Sequence, residues 1–440
     1  MGEIYELFIQ SITPYLIKKR RELHEHPEVG WTEYVTTYKL AEELQALDFN
    51  ITVGKDTMVS SARMGVPCEQ DLEKNEERAK EMGVPADFIE KMAGGHTGVI
   101  AQLQTGRPGK HVAMRFDIDA LPIQESQDAH HAPTQQHFSS KRDAIMHACG
   151  HDGHAVIGLG IARFLQQFKH ELNGQFTLIF QPAEEGGRGA KSIVERGWLD
   201  QVDYFLSGHI GVHSLPVGSI AATTTKFLAS SKYNIIFKGK SAHAGLEPNT
   251  GKNALLAAAS ASLHLTGITR HADGATRINI GKLEAGSGRN IVADIARMEI
   301  ETRGETTALN EYMTEEALRI IKASAALYDV KVTIEFVGAA LNATCNEEFI
   351  SIVEKAAKHS ASISNVLTAL PLGASEDVTY MIDRVQKQGG KATFMIFASP
   401  LPAGHHHPSF DYDEAVIPTA VEILSSTVLE IIKKEGFIHA

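Results

Sequence analysis

The pattern of apolar positions divides the first part of the chain into helical and extended segments. Apolar residues recur at helical spacing over residues 3–48, which predicts two amphipathic helices separated by a proline- and glycine-containing turn at 26–30. Residues 69–82 are highly charged and also helical in pattern, and we interpret them as an inserted helix, either a solvated face or a lid. Short apolar runs then predict strands at 99–103, 111–116, 176–180 and 202–206. The turn-forming residues 105–109 predict that the first two of these strands pair as a hairpin.

These strands alternate with segments of helical pattern. Helices are predicted at 152–168, 190–196 and 346–359, and a further strand at 393–397. Such alternation is typical of an α/β fold in which helices cover a mostly parallel sheet. Open sheets of this kind bind ligands at the carboxyl ends of their strands. The residues that follow those ends are therefore expected to converge on one site: Asp117, Glu184, Glu185, His209 and His406.

A different order of elements runs from about residue 223 to 335. The pattern there predicts a strand, a helix, two strands, a helix and a final strand, which is the order of a ferredoxin-like α+β unit. A chain of 440 residues also exceeds what one hydrophobic core usually organises. We therefore predict a catalytic domain of residues 1–222 plus 336–440, with residues 223–335 inserted as a lid or dimerisation domain.

Composition excludes several classes of function. The net charge of −12 and the absence of a basic stripe argue against a nucleic-acid partner. No run approaches the roughly 20 apolar residues that span a bilayer, so a membrane partner is not expected. Residues 1–21 have no signal-peptide pattern, and the three cysteines are odd in number and far apart, which predicts a cytoplasmic protein without a disulfide framework.

The segment MHACGHDGH, residues 146–154, concentrates donors for a metal ion. It places one cysteine, three histidines and an aspartate within nine positions. A lone buried histidine is more often structural than a ligand, but thiolate and imidazole together suit zinc, manganese or other first-row divalent ions. We therefore interpret this segment as the core of a metal site.

Two further segments carry candidate chemistry. Glu184 and Glu185 follow a predicted strand and precede a glycine-rich turn, which allows one carboxylate to bind metal while its neighbour takes a proton from a water that the metal activates. The loop after the last predicted strand holds three consecutive histidines, 405–407, of which we expect one to be a ligand. The remaining histidines, including His130 and His131, are expected at the surface.

Five ordered motifs resemble one family over nearly the whole chain. They are RFDIDALP at 115–122, HACGHDGH at 147–154, FQPAEEG at 180–186, GH at 208–209 and SAHAG at 241–245. Together they resemble the amidohydrolase branch of the dinuclear metallo-aminoacylases, which contains the hippurate hydrolases and the indole-acetyl-amino-acid hydrolases. The charged insertion after SSARMG at 60–65, with GHTG at 95–98, GSGRN at 286–290 and AGHH at 403–406, is similar to members of that branch that hydrolyse p-aminobenzoyl-glutamate.

The resemblance implies a role for each matching residue. The implied metal ligands are Cys149, His151, Glu185, His209 and His406, and Glu184 matches the general base. Asp117 matches an acidic residue that supports the metals. His243 matches a histidine that stabilises the oxyanion, often across a dimer, and Arg289 and Asn290 match the region that holds a substrate carboxylate.

The resemblance also implies a reaction and an assembly. It implies two divalent ions per chain, with Mn²⁺ favoured and Zn²⁺ possible, and hydrolysis of the amide bond of an N-acyl amino acid. The expected substrate is p-aminobenzoyl-glutamate, cleaved to p-aminobenzoate and glutamate; the alternatives are another N-acyl amino acid, or a chain that needs a homologous partner for activity. The expected assembly is a homodimer or a heterodimer with a homologous subunit.

Overall fold

The computed structural model describes residues 2–358, 360 and 362–434. Its helices are α1 (Gly2–Glu25), α2 (Tyr34–Ala46), α3 (Glu69–Glu81), α4 (Ala86–Met92), α5 (Ala132–Gln135), α6 (His151–Gln167), α7 (Ala190–Arg196), α8 (Ala254–Thr266), α9 (Thr307–Leu327), α10 (Glu348–Ala357), α11 (Val378–Lys387) and α12 (Val416–Lys434). Its strands are β1 (Asn50–Val53), β2 (Val99–Gln104), β3 (His111–Asp117), β4 (Gln175–Gln181), β5 (Tyr204–Ser214), β6 (Ser219–Thr225), β7 (Ala229–Lys238), β8 (Thr276–Ala285), β9 (Ile295–Gly304), β10 (Lys331–Ala340), β11 (Asn365–Pro371) and β12 (Lys391–Ser399).

Eight strands form the larger sheet, in the order β1-β2-β4-β3-β5-β12-β6-β11. The four central strands, β4, β3, β5 and β12, run parallel to one another. Antiparallel pairs flank them, β2 with β4 on one side and β6 with β12 on the other. The predicted α/β fold with a helix-covered sheet is confirmed, and the parallel strands occupy its centre.

Helices cover both faces of this sheet because successive side chains of a strand point to opposite faces. On β3, Val112 and Met114 belong to a core shared with α1, α6 and α12, whereas Ala113 belongs to a second core shared with α7 and α11. All three side chains are fully buried. Within the described part of the chain, no helix combines the length and the apolar character needed to cross a membrane.

Several details of the large sheet differ from the sequence expectation. The hairpin predicted across residues 105–109 is wrong: β4 lies between β2 and β3 and pairs with both, antiparallel to the first and parallel to the second. Strand β5 continues to Ser214, so His209 lies within a strand rather than beyond its end. The predicted helix 346–359 is observed as α10, and its predicted last residue, His359, lies outside the described residues.

Four strands form the smaller, fully antiparallel sheet, in the order β10-β7-β9-β8. Helices α8 and α9 pack against it and share a separate hydrophobic core that includes Ile235, Phe237, Met298 and Ile321. Its elements follow the predicted strand-helix-strand-strand-helix-strand order. The proposed domain limits, 222/223 and 335/336, fall inside β6 and β10, and the division of the chain at those residues stays a prediction.

The charged insertion packs on the body of the protein as well as facing solvent. Ala79 of α3 and Met92 of α4 are fully buried in a small cluster with Tyr34 of α2. Arg78 donates a 3.0 Å hydrogen bond to Glu28, a buried carboxylate that also accepts the backbone N–H groups of the first turn of α2. The insertion is therefore tied to α2 by apolar contacts and by an ion pair.

A buried charged network joins α1 to the start of α6. The His24 ring lies between two carboxylates, with Nδ1 2.9 Å from Asp152 and Nε2 2.9 Å from Glu125. Glu125 also bonds His131, which is buried, so the surface position expected for His131 is wrong. Burial alone would lower the pKa of His24, but the hydrogen bonds to Asp152 and Glu125 outweigh burial and raise it to about 9.

We predict that His24→Gln destabilises the metal-free protein by about 3 kcal/mol at pH 6, because two buried carboxylates lose the cation between them. A pKa raised in the folded state adds stability below the unfolded value of about 6.5, and this stability is lost as the pH rises through about 9. The difference in the free energy of unfolding between wild type and variant, measured with urea, should therefore shrink from pH 6 to pH 9.5. His130→Gln, at an exposed position, is the control. A difference that does not change with pH would contradict a protonated His24.

Candidate metal centre

A cleft of about 610 Å³ opens where the central parallel strands end. The segments that follow β3, β4 and β12, together with the middle of β5, bring candidate ligands to its floor. Its lining includes Cys149, Glu184, Glu185, His209 and His406, all singled out from the sequence. The volume falls within the range of small-molecule sites.

The loop before α6 turns sharply to present two of the candidate ligands. Gly150 has φ of +87°, a left-handed conformation that suits glycine, and it separates Cys149 from the first residue of α6, His151. The Cys149 Sγ lies 3.5 Å from Nε2 of His209. Donor atoms of Cys149, His151 and His209 all lie within 4.8 Å of one another, a spacing that one ion can bridge.

The hydrogen bonds of His151 and His209 leave the same ring nitrogen of each available. Nδ1 of His209 donates to the carbonyl of Ile210 at 2.8 Å, so its Nε2 carries the lone pair. Nδ1 of His151 lies 2.9 Å from the carbonyl of Asp119, and its fully buried Nε2 has no hydrogen-bond partner. Metal-bound histidines are usually fixed in this way through the nitrogen that does not bind the metal.

Asp119 holds the turn that carries the two glutamates. Its carboxylate accepts the backbone N–H groups of Glu184 at 3.1 Å and Glu185 at 2.9 Å. Ala183, just before them, has φ of +51°, and its N–H donates to the buried Glu33 at 2.8 Å. A left-handed conformation is costly for a residue with a Cβ, so these buried acceptors compensate for strain in the turn.

His406 also stands in a strained loop. Its φ is +63°, and its N–H donates to the carbonyl of Ala148, beside Cys149. The side chain is half exposed, and Nε2 lies 3.3 Å from Oε1 of Glu185. Donor atoms of Cys149, Glu185 and His406 form a second group within 4.8 Å.

His405, which the sequence analysis placed in the candidate loop but not in the ligand set, also lines the cleft. Val212, in the left-handed region with φ of +63°, donates its N–H to Nε2 of His405 at 3.0 Å. Because Nε2 accepts, Nδ1 carries the proton, and it lies 3.6 Å from Sγ of Cys149. His405 therefore links the strand that carries His209 to the loop that carries Cys149.

Asp117 lies between a cation and a pair of histidines. Its Oδ2 accepts from Arg115 at 2.6 Å, and its Oδ1 lies 2.5 Å from Nδ1 of His154. Burial would raise the pKa of Asp117, but Arg115, His151 and His154 together hold it well below its usual range. Nε2 of His154 accepts from the backbone of Ile210, so both nitrogens of that ring are in use and His154 is a structural residue.

Carboxylates crowd the same floor. Glu376 and Asp377, which sequence reasoning also missed, form a buried group with Glu184. Burial, then repulsion from Glu376 and Glu185, raises the pKa of Glu184 well above its usual range. The only sequence signal for the missed pair is that two adjacent acids follow a short loop and precede a helical pattern.

These features fit divalent metal ions. Burial would lower the pKa of His151, but Asp117 and Asp119 outweigh burial and raise it well above its usual range, so the position favours positive charge. Burial and Glu185 raise the pKa of the Cys149 thiol, and a cation beside the sulfur would reverse that effect. Nε2 of His151, which has no hydrogen-bond partner, lies near thiolate, imidazole and carboxylate donors. Together these donors make up a ligand set for first-row divalent ions.

The structure does not bring the remaining predicted residues to this cleft. His243, Arg289 and Asn290 are exposed and belong to the segments between strands of the smaller sheet. His243 and Asn290 do lie near each other, since Ala244 donates its N–H to the carbonyl of Asn290 at 2.9 Å. Nδ1 of His243 accepts from the backbone of Gly245 and Leu246.

The fold and the site define a metal-dependent hydrolase, and comparison with known proteins identifies its family. Residues 113–430 match peptidase family M20/M25/M40. The chain belongs to this family.

Relatives cover nearly the whole chain. It is 42% identical to indole-3-acetyl-aspartic acid hydrolase of Enterobacter agglomerans, over 98% of each chain. It is also 42% identical to the A subunit of p-aminobenzoyl-glutamate hydrolase from Escherichia coli, over 96% of this chain and 97% of that protein. The predicted resemblance to the amidohydrolase branch is thereby confirmed.

Solved structures agree. The aminobenzoyl-glutamate utilization protein from Klebsiella pneumoniae superposes with a TM-score of 0.83 at 37% identity, covering 96% of this chain and 97% of that one. The YXEP protein of Bacillus subtilis, described as a dinuclear metal-binding peptidase of the M20 family, has a TM-score of 0.65 at 25% identity, over 96% of this chain and 99% of that one. The protein is therefore a dinuclear metal-dependent amidohydrolase of this family.

We predict that His406→Ala lowers the metal content by about one ion per chain. The reason is that this group of donor atoms would lose the imidazole and keep only Cys149 and Glu185. Elemental analysis after dialysis against a weak chelator measures this content. The matched control is His407→Ala, an exposed neighbour whose Nδ1 accepts only a local backbone N–H, from Ser409. If His406→Ala and wild type retain equal amounts of metal, His406 is not a metal ligand.

Proposed function

We propose that this enzyme hydrolyses the amide bond of p-aminobenzoyl-glutamate to release p-aminobenzoate and glutamate. The observation that carries the proposal is the position of Glu184, a buried carboxylate that lines the cleft within 4.8 Å of donor atoms of His151 and Glu185. A carboxylate at this place can move a proton between water and an amide nitrogen. The choice of amide is supported by the names of the relatives, which include p-aminobenzoyl-glutamate hydrolase.

The proposed ligands are Cys149, His151, Glu185, His209 and His406. When bound, divalent ions polarise a carbonyl group and make water a better nucleophile at neutral pH. Ligand softness fits Mn²⁺ and Zn²⁺ about equally, and the family resemblance favours Mn²⁺.

Residues of the chain carry the proton steps. Glu184 takes a proton from the attacking water and returns it to the amide nitrogen, which leaves as a free amine. Burial, and then repulsion from the neighbouring carboxylates Glu376 and Glu185, keep the pKa of Glu184 high, which favours uptake of that proton. Asp119 fixes the backbone from which Glu184 projects, so the base is oriented before substrate binds. His243, which lies outside the cleft in this chain, is proposed to stabilise the oxyanion from a partner chain.

A second candidate substrate is the indole-acetyl conjugate of an acidic amino acid. It is favoured by the 42% identity to indole-3-acetyl-aspartic acid hydrolase, which covers as much of the chain as the p-aminobenzoyl-glutamate hydrolase relative does. Both candidates join an aromatic acyl group to an acidic amino acid. Hippurate lacks the second carboxylate, so its hydrolysis tests whether the enzyme has a broader amidohydrolase specificity.

The assembly and location are also proposals. The name of the Escherichia coli relative designates one subunit of its enzyme, which supports a heterodimer with a homologous partner, and a homodimer is the alternative. All three cysteines are free thiols, which is compatible with the predicted cytoplasmic location.

We predict that Glu184→Gln lowers kcat by about 10²- to 10⁴-fold while both ions stay bound, because the amide cannot accept the proton from water. Steady-state hydrolysis and elemental analysis, done on the same preparation, separate loss of the base from loss of metal. Glu195→Gln, at a solvent-facing position on α7, is the control. Near-normal turnover by Glu184→Gln would remove it as the base.

We predict that the purified chain, loaded with Mn²⁺, releases p-aminobenzoate from p-aminobenzoyl-glutamate faster than it cleaves indole-acetyl-aspartate or hippurate. Chromatography of the products with each substrate measures the three rates. Preference for indole-acetyl-aspartate or hippurate would contradict the proposal that the substrate carries a p-aminobenzoyl group. Inactivity of the single chain that is relieved by adding the homologous partner would establish that the partner is required.

A further inference from the structure

One wall of the cleft comes from the smaller sheet. Lys232 of β7 and Glu301 and Arg303 of β9 line it, and Lys232 and Glu301 are paired across the two strands. Arg303 donates to Oε1 of Glu301 at 2.5 Å, so these two charges neutralise each other. Lys232 is left as the surplus positive charge of this wall.

The Lys232 ammonium is poorly satisfied where it stands. Its side chain is only 27% exposed, and its ion-pair partner Glu301 is distant, with Oε2 3.9 Å from Nζ. That separation is too long for a hydrogen bond. Among the described residues none accepts a hydrogen bond from Nζ, although the group has three hydrogens to donate. A half-buried cation without hydrogen bonds, at the wall of a binding cleft, points to an anionic ligand.

Lys232 also stands where the cleft meets a second cavity of about 540 Å³. The two cavities share Gly186 and Lys232. Arg188, the other cation of the second cavity, already donates to the carbonyls of Glu185 and Gly65. Lys232 is therefore the cation at this junction that is free to bind a ligand reaching past the glutamates of the metal site.

We propose that Lys232 binds the side-chain carboxylate of the substrate's acidic amino acid and so determines the preference for acidic over neutral conjugates. This inference rests on the proposed function, because an N-acyl glutamate brings two carboxylates to the site. One of them is expected at Arg289 and Asn290, which lie outside this cleft and, like His243, would reach it from a partner chain. The other requires a second cation, and Lys232 supplies it from the cleft that Glu184 also lines.

The test compares p-aminobenzoyl-glutamate with p-aminobenzoyl-glutamine, which differ only in the charge of the side chain. For Lys232→Met we expect kcat/KM on the glutamate conjugate to fall about 10- to 100-fold, mainly through KM, because a charge-assisted hydrogen bond is lost. Turnover of the glutamine conjugate should change less than about twofold. Lys232→Arg should keep most of the preference, and Lys238→Met, at an exposed position on the same strand, should behave as wild type.

Equal losses on both conjugates, or no loss on either, would overturn the assignment of Lys232. Indole-acetyl-aspartate and indole-acetyl-asparagine are measured in parallel. If the enzyme cleaves only the indole-acetyl conjugates, the proposed p-aminobenzoyl substrate is wrong, but the effect of Lys232 on acidic against neutral conjugates is still measured. Calorimetric binding of free L-glutamate and L-glutamine to the Mn²⁺-loaded protein gives the same comparison without turnover. Wild type should bind glutamate more tightly than Lys232→Met by the same factor, and equal affinity would contradict the inference.

Discussion

The structure depends on the burial of like charges at one end of a sheet. Donor atoms of Glu184, Glu376 and Asp377 lie within 4.8 Å of one another and all three residues are buried, as are Asp117 and Asp119 close by. Carboxylates in a low-dielectric interior repel one another and lose hydration, which is unfavourable unless cations compensate. Arg115 compensates part of this charge through Asp117 and Asp377. Divalent ions would compensate the rest, so the same constraint explains both the architecture of the floor and its chemistry.

Three residues with strained backbone lie in the segments that carry the proposed ligands. Ala183, Val212 and His406 each have a left-handed conformation although each has a Cβ, at a cost of about 1–3 kcal/mol per residue. In each case a neighbouring acceptor takes the backbone N–H of the strained residue: Glu33, His405 and the carbonyl of Ala148. The strain is thus stabilised by neighbouring segments, and the donor atoms are oriented in the folded protein before any ion or substrate binds.

The sequence predicted the parts of the site that lie on contiguous segments. Cys149 and His151 are two positions apart, and Glu184 and Glu185 are adjacent, so their residue types and the strand or helix beside them indicate metal chemistry directly. The parallel strands that bring these segments together were also predictable from the alternation of strands and helices. Their carboxyl ends meet because β4, β3, β5 and β12 are neighbours in the sheet.

The remainder depends on spatial relations that a local pattern does not contain. Sequence reasoning paired β2 with β3 because a short turn joins them, whereas β4, which comes much later in the chain, lies between them. It missed β6 and β11, whose sequences SIAATTT and NVLTALP lack a strong apolar alternation. The positions of His405, Glu376 and Asp119 in the site depend on contacts with distant segments, and only the folded chain brings those segments together.

The proposal on which the rest depends is that this floor binds two divalent ions through Cys149, His151, Glu185, His209 and His406. Anomalous diffraction from crystals of the Mn²⁺-loaded protein, recorded on both sides of the manganese absorption edge, tests it most directly. We expect two peaks in the cleft, with Nε2 of His151 and Sγ of Cys149 within coordination distance and Glu184 beside them. A single peak, or peaks outside this cleft, would contradict the proposed site.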